Sequence, residues 1–282
     1  MTRIVPWTPN RQVIYDLLTR AKTYHAPVST CWEYDAAALS AARRALRVDG
    51  RVVGLPACMV KATALVLRRF PQLNRHLFHG LLGKYVVEFG TIRCTLIVMR
   101  RGRDRERLLF PVNLERADEL SVEEIQRTID HHRYTPLEEL PQVQALERLK
   151  RLPRLALRWF SWRVRSDHRF YARYFGTYGV SCMAMREVGP VGGHTLANTG
   201  AAFLIGPLRH TAQVRGGQVV PRLTLGVMLV ADHYLLDGMD MLEAMTWLGK
   251  LLAAPTRLGL PEVAPGAEAA LPPGDDDEGE GA

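Results

Sequence analysis

The sequence predicts an α/β or α+β protein, a single domain over residues 1–262 built around one mixed sheet with flanking helices. Three observations lead there. Segments of helical period interleave with long β-type runs along the chain, so neither element dominates. Near the end, two apolar runs meet at Gly216-Gly217, which marks a long hairpin. The chain also has 282 residues, 47% of them hydrophobic, enough to fill one large core.

The elements follow in order. Val13, Ile14, Leu17 and Leu18 form a helical stripe with Asn10 as its cap. VSTCWEYD, 28–35, alternates like a strand, and AAALSAARRAL, 36–46, is helical until Asp49-Gly50 stops it. Pro56 opens a further helix, PACMVKATALVLRRF, which Pro71 ends. GKYVVEFGTIRCTLIVMRR, 83–101, reads as two strands about Gly90. After the strand RLLFPVNL, Ser121 and Glu124 have the spacing of a capping box and start a helix. GTYGVSCMAM, TGAAFLIGPL and the hairpin supply the last strands, and a closing helix runs from Met241 to about Ala253.

Charge is unevenly placed. The chain carries +8, yet from Glu262 onward there are seven acids and no Lys or Arg, so the preceding body carries +15. Residues 263–282 are acidic and rich in Pro, Gly and Ala, and are expected to be a disordered tail. The basic body favours anions. Over about 147–173 many arginines are mixed with Trp159, Phe160, Trp162, Phe170 and Tyr171. Either this is a lid whose aromatics pack on the core, or it touches an anionic membrane surface or an acidic carrier protein through Lys150–Arg173. No recognition motif accompanies it, so no nucleic-acid partner is expected. No signal peptide or membrane-length apolar run is present, and Cys31, Cys58, Cys94 and Cys182 are scattered singly, which suits a reduced, cytoplasmic protein.

One stretch carries chemistry. LTLGVMLVADHYLLDGMD, 223–240, is an apolar run that ends in Asp232 and His233, with Asp237 and Gly238 close behind. Buried charge without a partner is costly, so these groups are either tolerated at an edge or needed there. Asp232-His233-x-x-x-Asp237-Gly238 follows GGQVVPRLTLGVMLVA, and the chain also contains YFGTYGVSCM, LPACMVKATALVLRRFPQLN, LLFPVNLERADELSVEEI and the N-terminal PNRQVIYDLLTRA. Taken together over residues 3–262, these segments resemble the catalytic domain of the dihydrolipoamide acyltransferases of 2-oxo acid dehydrogenase complexes, which share a fold with chloramphenicol acetyltransferase. The form is a stand-alone one, with no lipoyl or subunit-binding domain expected.

The resemblance implies an α+β two-layer sandwich and an acyltransferase (EC 2.3.1-type). Such an enzyme moves an acyl group between a thioester (acyl-CoA, acyl-carrier protein or acyl-lipoamide) and an acceptor. It implies His233 as general base and Ser181 as oxyanion donor, with coenzyme A or acyl-CoA as substrate rather than bound cofactor, and lipoamide possible in trans. It further implies that Asp237 pairs with an arginine to hold the histidine loop, Arg11 being the candidate. Asp232 would tie the turn through backbone bonds, and Gly238 would permit a tight backbone. The active site would lie between subunits of a homotrimer. The chain departs from the family pattern at Tyr234, where an arginine is usual, at Cys182 after the serine, and in the basic aromatic segment. Two alternatives stand beside this reading: a trimeric scaffold without catalysis, or a subunit docked to a carrier or membrane. Two ligands without a third make a poor metal site, so none is expected.

Overall fold

The computed structural model describes Tyr15 and residues 25–101, 107–183 and 199–262. The predicted first helix (but for Tyr15), Arg11 and the acidic tail lie outside the described residues.

Among the described residues eight strands form two sheets. The larger has the order β1-β8-β7-β6-β4-β5, with β1 Pro27–Asp35, β4 Cys94–Arg101, β5 Arg107–Leu114, β6 Tyr178–Cys182, β7 Ala201–Arg215 and β8 Gln218–Asp232. It is mixed: β6 runs parallel to both β4 and β7, and the other neighbours are antiparallel. Pro111 sits in β5, an edge strand, where a missing N–H costs no ladder bond on the open side. The second sheet is the hairpin β2 Arg75–Gly80 with β3 Gly83–Glu88.

Local chemistry explains the framework. β7 and β8 are joined at Gly216 (φ 58°) and Gly217 (φ 78°), and a two-residue loop with both φ positive matches the twist of the strands it connects. Helix α1, Ala37–Val48, ends before Gly50 at φ 76°. Helix α2, Leu55–Arg69, has proline in its first turn, where no intrahelical N–H is lost. In α3, Val122–Tyr134, Ser121 and Glu124 make the reciprocal capping bonds. Helices α4, Pro141–Lys150, α5, Arg154–Ser166, and α6, His168–Tyr174, carry the basic aromatic segment. The closing helix α7, Gly238–Leu252, starts three residues ahead of its expected Met241 because Asp237 caps it.

Alternate residues of the central strands, among them Leu96, Val180, Phe203, Leu225 and Leu229, join buried positions of α1, α2, α3 and α7 in one core. The opposite face of the sheet is more open, with Ile97, Met99 and Leu109 exposed. This is the expected mixed sheet with flanking helices. No disulfide joins the four cysteines. Among the described residues no helix is long and apolar enough to cross a membrane. The β2 strand, RHLFHG, went unpredicted: its histidines and glycine mask a period-two pattern in which His76 and Phe78 point inward.

Candidate active site

Asp232 is the last residue of β8 and is buried, and its carboxylate is fully engaged. One oxygen accepts from the amides of Ala26 (3.2 Å) and Tyr234 (3.1 Å), and the other lies 2.7 Å from His25 Nδ1. Burial alone would raise its pKa; the bonds from His25 and the two amides outweigh that and hold the carboxyl below its ordinary value. The carboxylate thus ties the chain entering β1 to the turn leaving β8. The His233 amide completes the tie by donating to the Ala26 carbonyl at 2.8 Å.

On that turn the His233 imidazole is exposed, and its Nδ1 lies 2.8 Å from the Leu236 carbonyl. A carbonyl only accepts, so Nδ1 is the donor in this bond, which leaves Nε2 as the ring nitrogen free to meet a substrate. Asp237 accepts from the amides of Met239 (2.9 Å) and Asp240 (3.2 Å), and its own amide donates to the Asp240 carboxylate. Its place is therefore the N-cap of α7, an occupation not anticipated from the sequence, while the arginine expected beside it lies outside the described residues. Gly238 needs no special backbone: its φ is not positive, and a Cβ there would meet nothing within 4 Å. This corrects the expectation of a tight backbone at that point. Tyr234 is exposed.

Gly200 matters for a different reason. Its carbonyl accepts from the Asp232 amide at 3.0 Å, and a Cβ on it would fall 1.9 Å from the Arg75 carbonyl oxygen, so only glycine lets β2 approach the end of β8 so closely.

Ser181 is half-buried near the end of β6, in register with Ile97 of β4 and Leu204 of β7. Its exposed neighbour Ile97 places it on the open face of the sheet. Leu204 in turn faces Met228 of β8, five residues before His233. Counting that offset and two strand spacings, Ser181 and His233 of one chain stand roughly 19 Å apart. A single chain therefore brings together His233, Asp232 and Asp237 but leaves Ser181 away from them.

Sequence reasoning missed His25 and His76. The His25 ring lies 5.8 Å from that of His76, which stacks on Tyr171 of α6 at 4.8 Å. Burial first, helped by His25 and His79 and partly opposed by Asp232, drives His76 down to about 3, so it is neutral at working pH. No spacing in the sequence marks either of them: His25 precedes β1 and His76 sits inside β2. Among the described residues no group of His, Cys, Asp or Glu could hold a metal ion.

A mixed sheet with flanking helices is the fold of dihydrolipoamide acetyltransferase cores, to which the comparisons liken this chain. Residues 1–134 match the family described as 2-oxoacid dehydrogenases acyltransferase (catalytic domain). A probable dihydrolipoamide acetyltransferase from Listeria monocytogenes is similar at 18% identity and a TM-score of 0.64, over 89% of this chain and 94% of that one. The cubic core of a pyruvate dehydrogenase multienzyme complex matches at 17% identity and a TM-score of 0.65, over 92% and 95%. So does the dihydrolipoamide acetyltransferase of Azotobacter vinelandii, studied for the role of a serine, a histidine and an asparagine in its mechanism, at 18% identity and a TM-score of 0.65, over 92% and 95%. These matches are to transferases. No curated protein matches the chain.

Proposed function

We propose that this protein is an acyltransferase that moves an acyl group from a thioester to an acceptor, with His233 as the general base. The observation that carries the reading is the bond from His233 Nδ1 to the Leu236 carbonyl, which leaves Nε2 free on a turn clamped by Asp232. Nε2 takes the proton from the incoming thiol, amine or hydroxyl as that atom attacks the thioester carbonyl. The imidazolium then returns the proton to the departing thiolate, so the charge balances over the cycle. Ser181 donates its hydroxyl to the oxyanion formed between these steps. Asp237 and Asp232 are positioning residues: one caps α7 and the other fixes the turn, so the imidazole between them is held in place. The serine, histidine and asparagine probed in the Azotobacter enzyme support the assignment, its histidine and asparagine being four residues apart, as His233 and Asp237 are here.

The site is completed between copies of the chain in a homotrimer, since Ser181 is too distant to serve the His233 of its own chain. Open space at Gly238 leaves room for that approach. The donor is an acyl-CoA, an acyl group on an acidic carrier or an acyl-lipoamide presented in trans; the phosphates or carboxylates of the first two suit the +15 body.

Complementation tests this. His233→Ala alone lowers turnover of a panel of acyl-CoA donors about 10²–10⁴-fold, and Ser181→Ala alone about 10²–10³-fold. Co-expressed in randomly mixed trimers, the two variants restore about a quarter of wild-type activity, because one interface in four then pairs an intact histidine with an intact serine. No recovery in mixed oligomers would remove the shared site, and full activity of His233→Ala would remove the base.

A further inference from the structure

We infer that helix α5 and the tip of the β2–β3 hairpin form a docking surface for an anionic membrane. Helix α5 buries Leu157, Ser161, Val164 and Arg165, which fixes the opposite side as its outer face. On that outer face lie the exposed Leu155 and Trp159, with the half-buried Trp162 beside them, spaced four and three residues apart and therefore along one stripe. Leu155 is 78% and Trp159 56% exposed. Arg154 and Arg158 flank the stripe on one side and Arg163 on the other. A soluble surface helix shows the reverse pattern, with charge at the centre of its outer face and apolar residues turned inward.

The stripe does not end with the helix. Trp162, Arg163 and Arg169 line one cleft with Leu81, which places the hairpin tip at the C-terminal end of the stripe. At that tip Leu81 and Leu82 are essentially fully exposed, in a turn between Gly80 and Gly83, the latter at φ 139°. Two consecutive leucines held out on a glycine-bounded turn leave most of their apolar surface in water. The result is an apolar ridge of two tryptophans and three leucines with arginine along its borders.

Charge decides the partner. Arg151, Arg154, Arg158 and Arg169 are exposed, and none is paired with an acid among the described residues. Unpaired guanidinium groups bind phosphate in a fork geometry, tryptophan favours the boundary between apolar and wet phases, and the leucines require an apolar phase to enter. An anionic bilayer surface supplies all three. An acidic protein would match the arginines but leave the protruding leucines in water. With no spanning helix among the described residues, the attachment is peripheral and reversible.

The test uses the full chain and vesicles of phosphatidylcholine alone or with about one third phosphatidylglycerol. The wild type co-sediments at least ten-fold more tightly with the anionic vesicles, and its tryptophan emission shifts to the blue. A Leu81→Asp/Leu82→Asp variant, altered only at exposed positions, loses at least ten-fold of that affinity while keeping its unfolding midpoint, and Arg154→Glu/Arg158→Glu does the same. His233→Ala binds like the wild type, which separates this surface from the catalytic reading. The inference is overturned by equal binding to both vesicle types, by no binding, by an unaffected leucine variant, or by capture on an acidic carrier protein with none on vesicles.

Discussion

The protein has two cores of very different depth. Under the six-stranded sheet, side chains from strands and five helices merge into one continuous cluster that includes Phe203, Leu229 and Met245. Beneath the β2–β3 hairpin, the buried apolar cluster among the described residues is Phe78, Val164 and Tyr171, with a shell of half-buried and mostly aromatic residues around it. The first region holds the turn that carries His233; the second presents arginine and tryptophan to the surroundings. A deep core fixes an imbedded strand end to within a hydrogen bond, whereas a shallow one tolerates exposed apolar groups and opens more easily. The two meet where His25 and His76 bridge Asp232 to Tyr171.

The difference can be broken from either side. Phe203→Ala opens the large cluster and costs about 3–5 kcal/mol, seen as a fall in the urea midpoint for the whole chain. Phe78→Ala acts locally: amide exchange quickens in 75–89 and 154–174 while the global midpoint moves less, because the small cluster opens on its own. A uniform rise in exchange across β8 would show instead that the two cores unfold as one.

The contact between the regions comes next in size. Asp232→Asn weakens the bonds that clamp the His233 turn and costs up to about 3 kcal/mol. On the role proposed for His233, turnover falls while KM for the donor stays put, since the imidazole is misplaced and the binding surface is not. A change in KM alone would assign Asp232 to substrate binding.

The smallest effect sharpens the comparison by pH. An unfolded imidazole takes a proton near 6.5, but His76 in the fold takes one only near 3. Between those values the unfolded chain binds more protons, so stability is full above about pH 6.5 and falls as pH drops, by about 2 kcal/mol at pH 5. His76→Phe flattens most of that slope in urea melts. His79, also lowered chiefly by burial, leaves a remainder. Asp232, whose pKa is depressed, loses its contribution only at lower pH, below the ordinary carboxylate range. An unchanged slope in His76→Phe would mean that His76 is not the group responsible.

Some of the local structure of the candidate site was legible in the sequence. The apolar run into Asp232-His233 announced a strand end with ionisable groups, because few residue types survive there without a use. Asp237 was legible as a motif member but not as a helix cap, since the start of α7 depends on where the turn after β8 closes. Ser181 could be named but not located relative to His233, because parallel pairing of β6 between β4 and β7 leaves no local trace. His25 was invisible: it reaches Asp232 across 207 positions of sequence.

By itself the sequence determined the succession of strands and helices, the Gly216-Gly217 hairpin and the Ser121 cap. All of these follow from side-chain period and turn chemistry acting over a few neighbouring residues. Only the tertiary structure decided which strands lie side by side, that His25 closes on Asp232, and that Leu81 stands at the end of the Trp159–Trp162 stripe. Those meetings are set by how distant segments bury their apolar faces together, and no spacing along the chain records them.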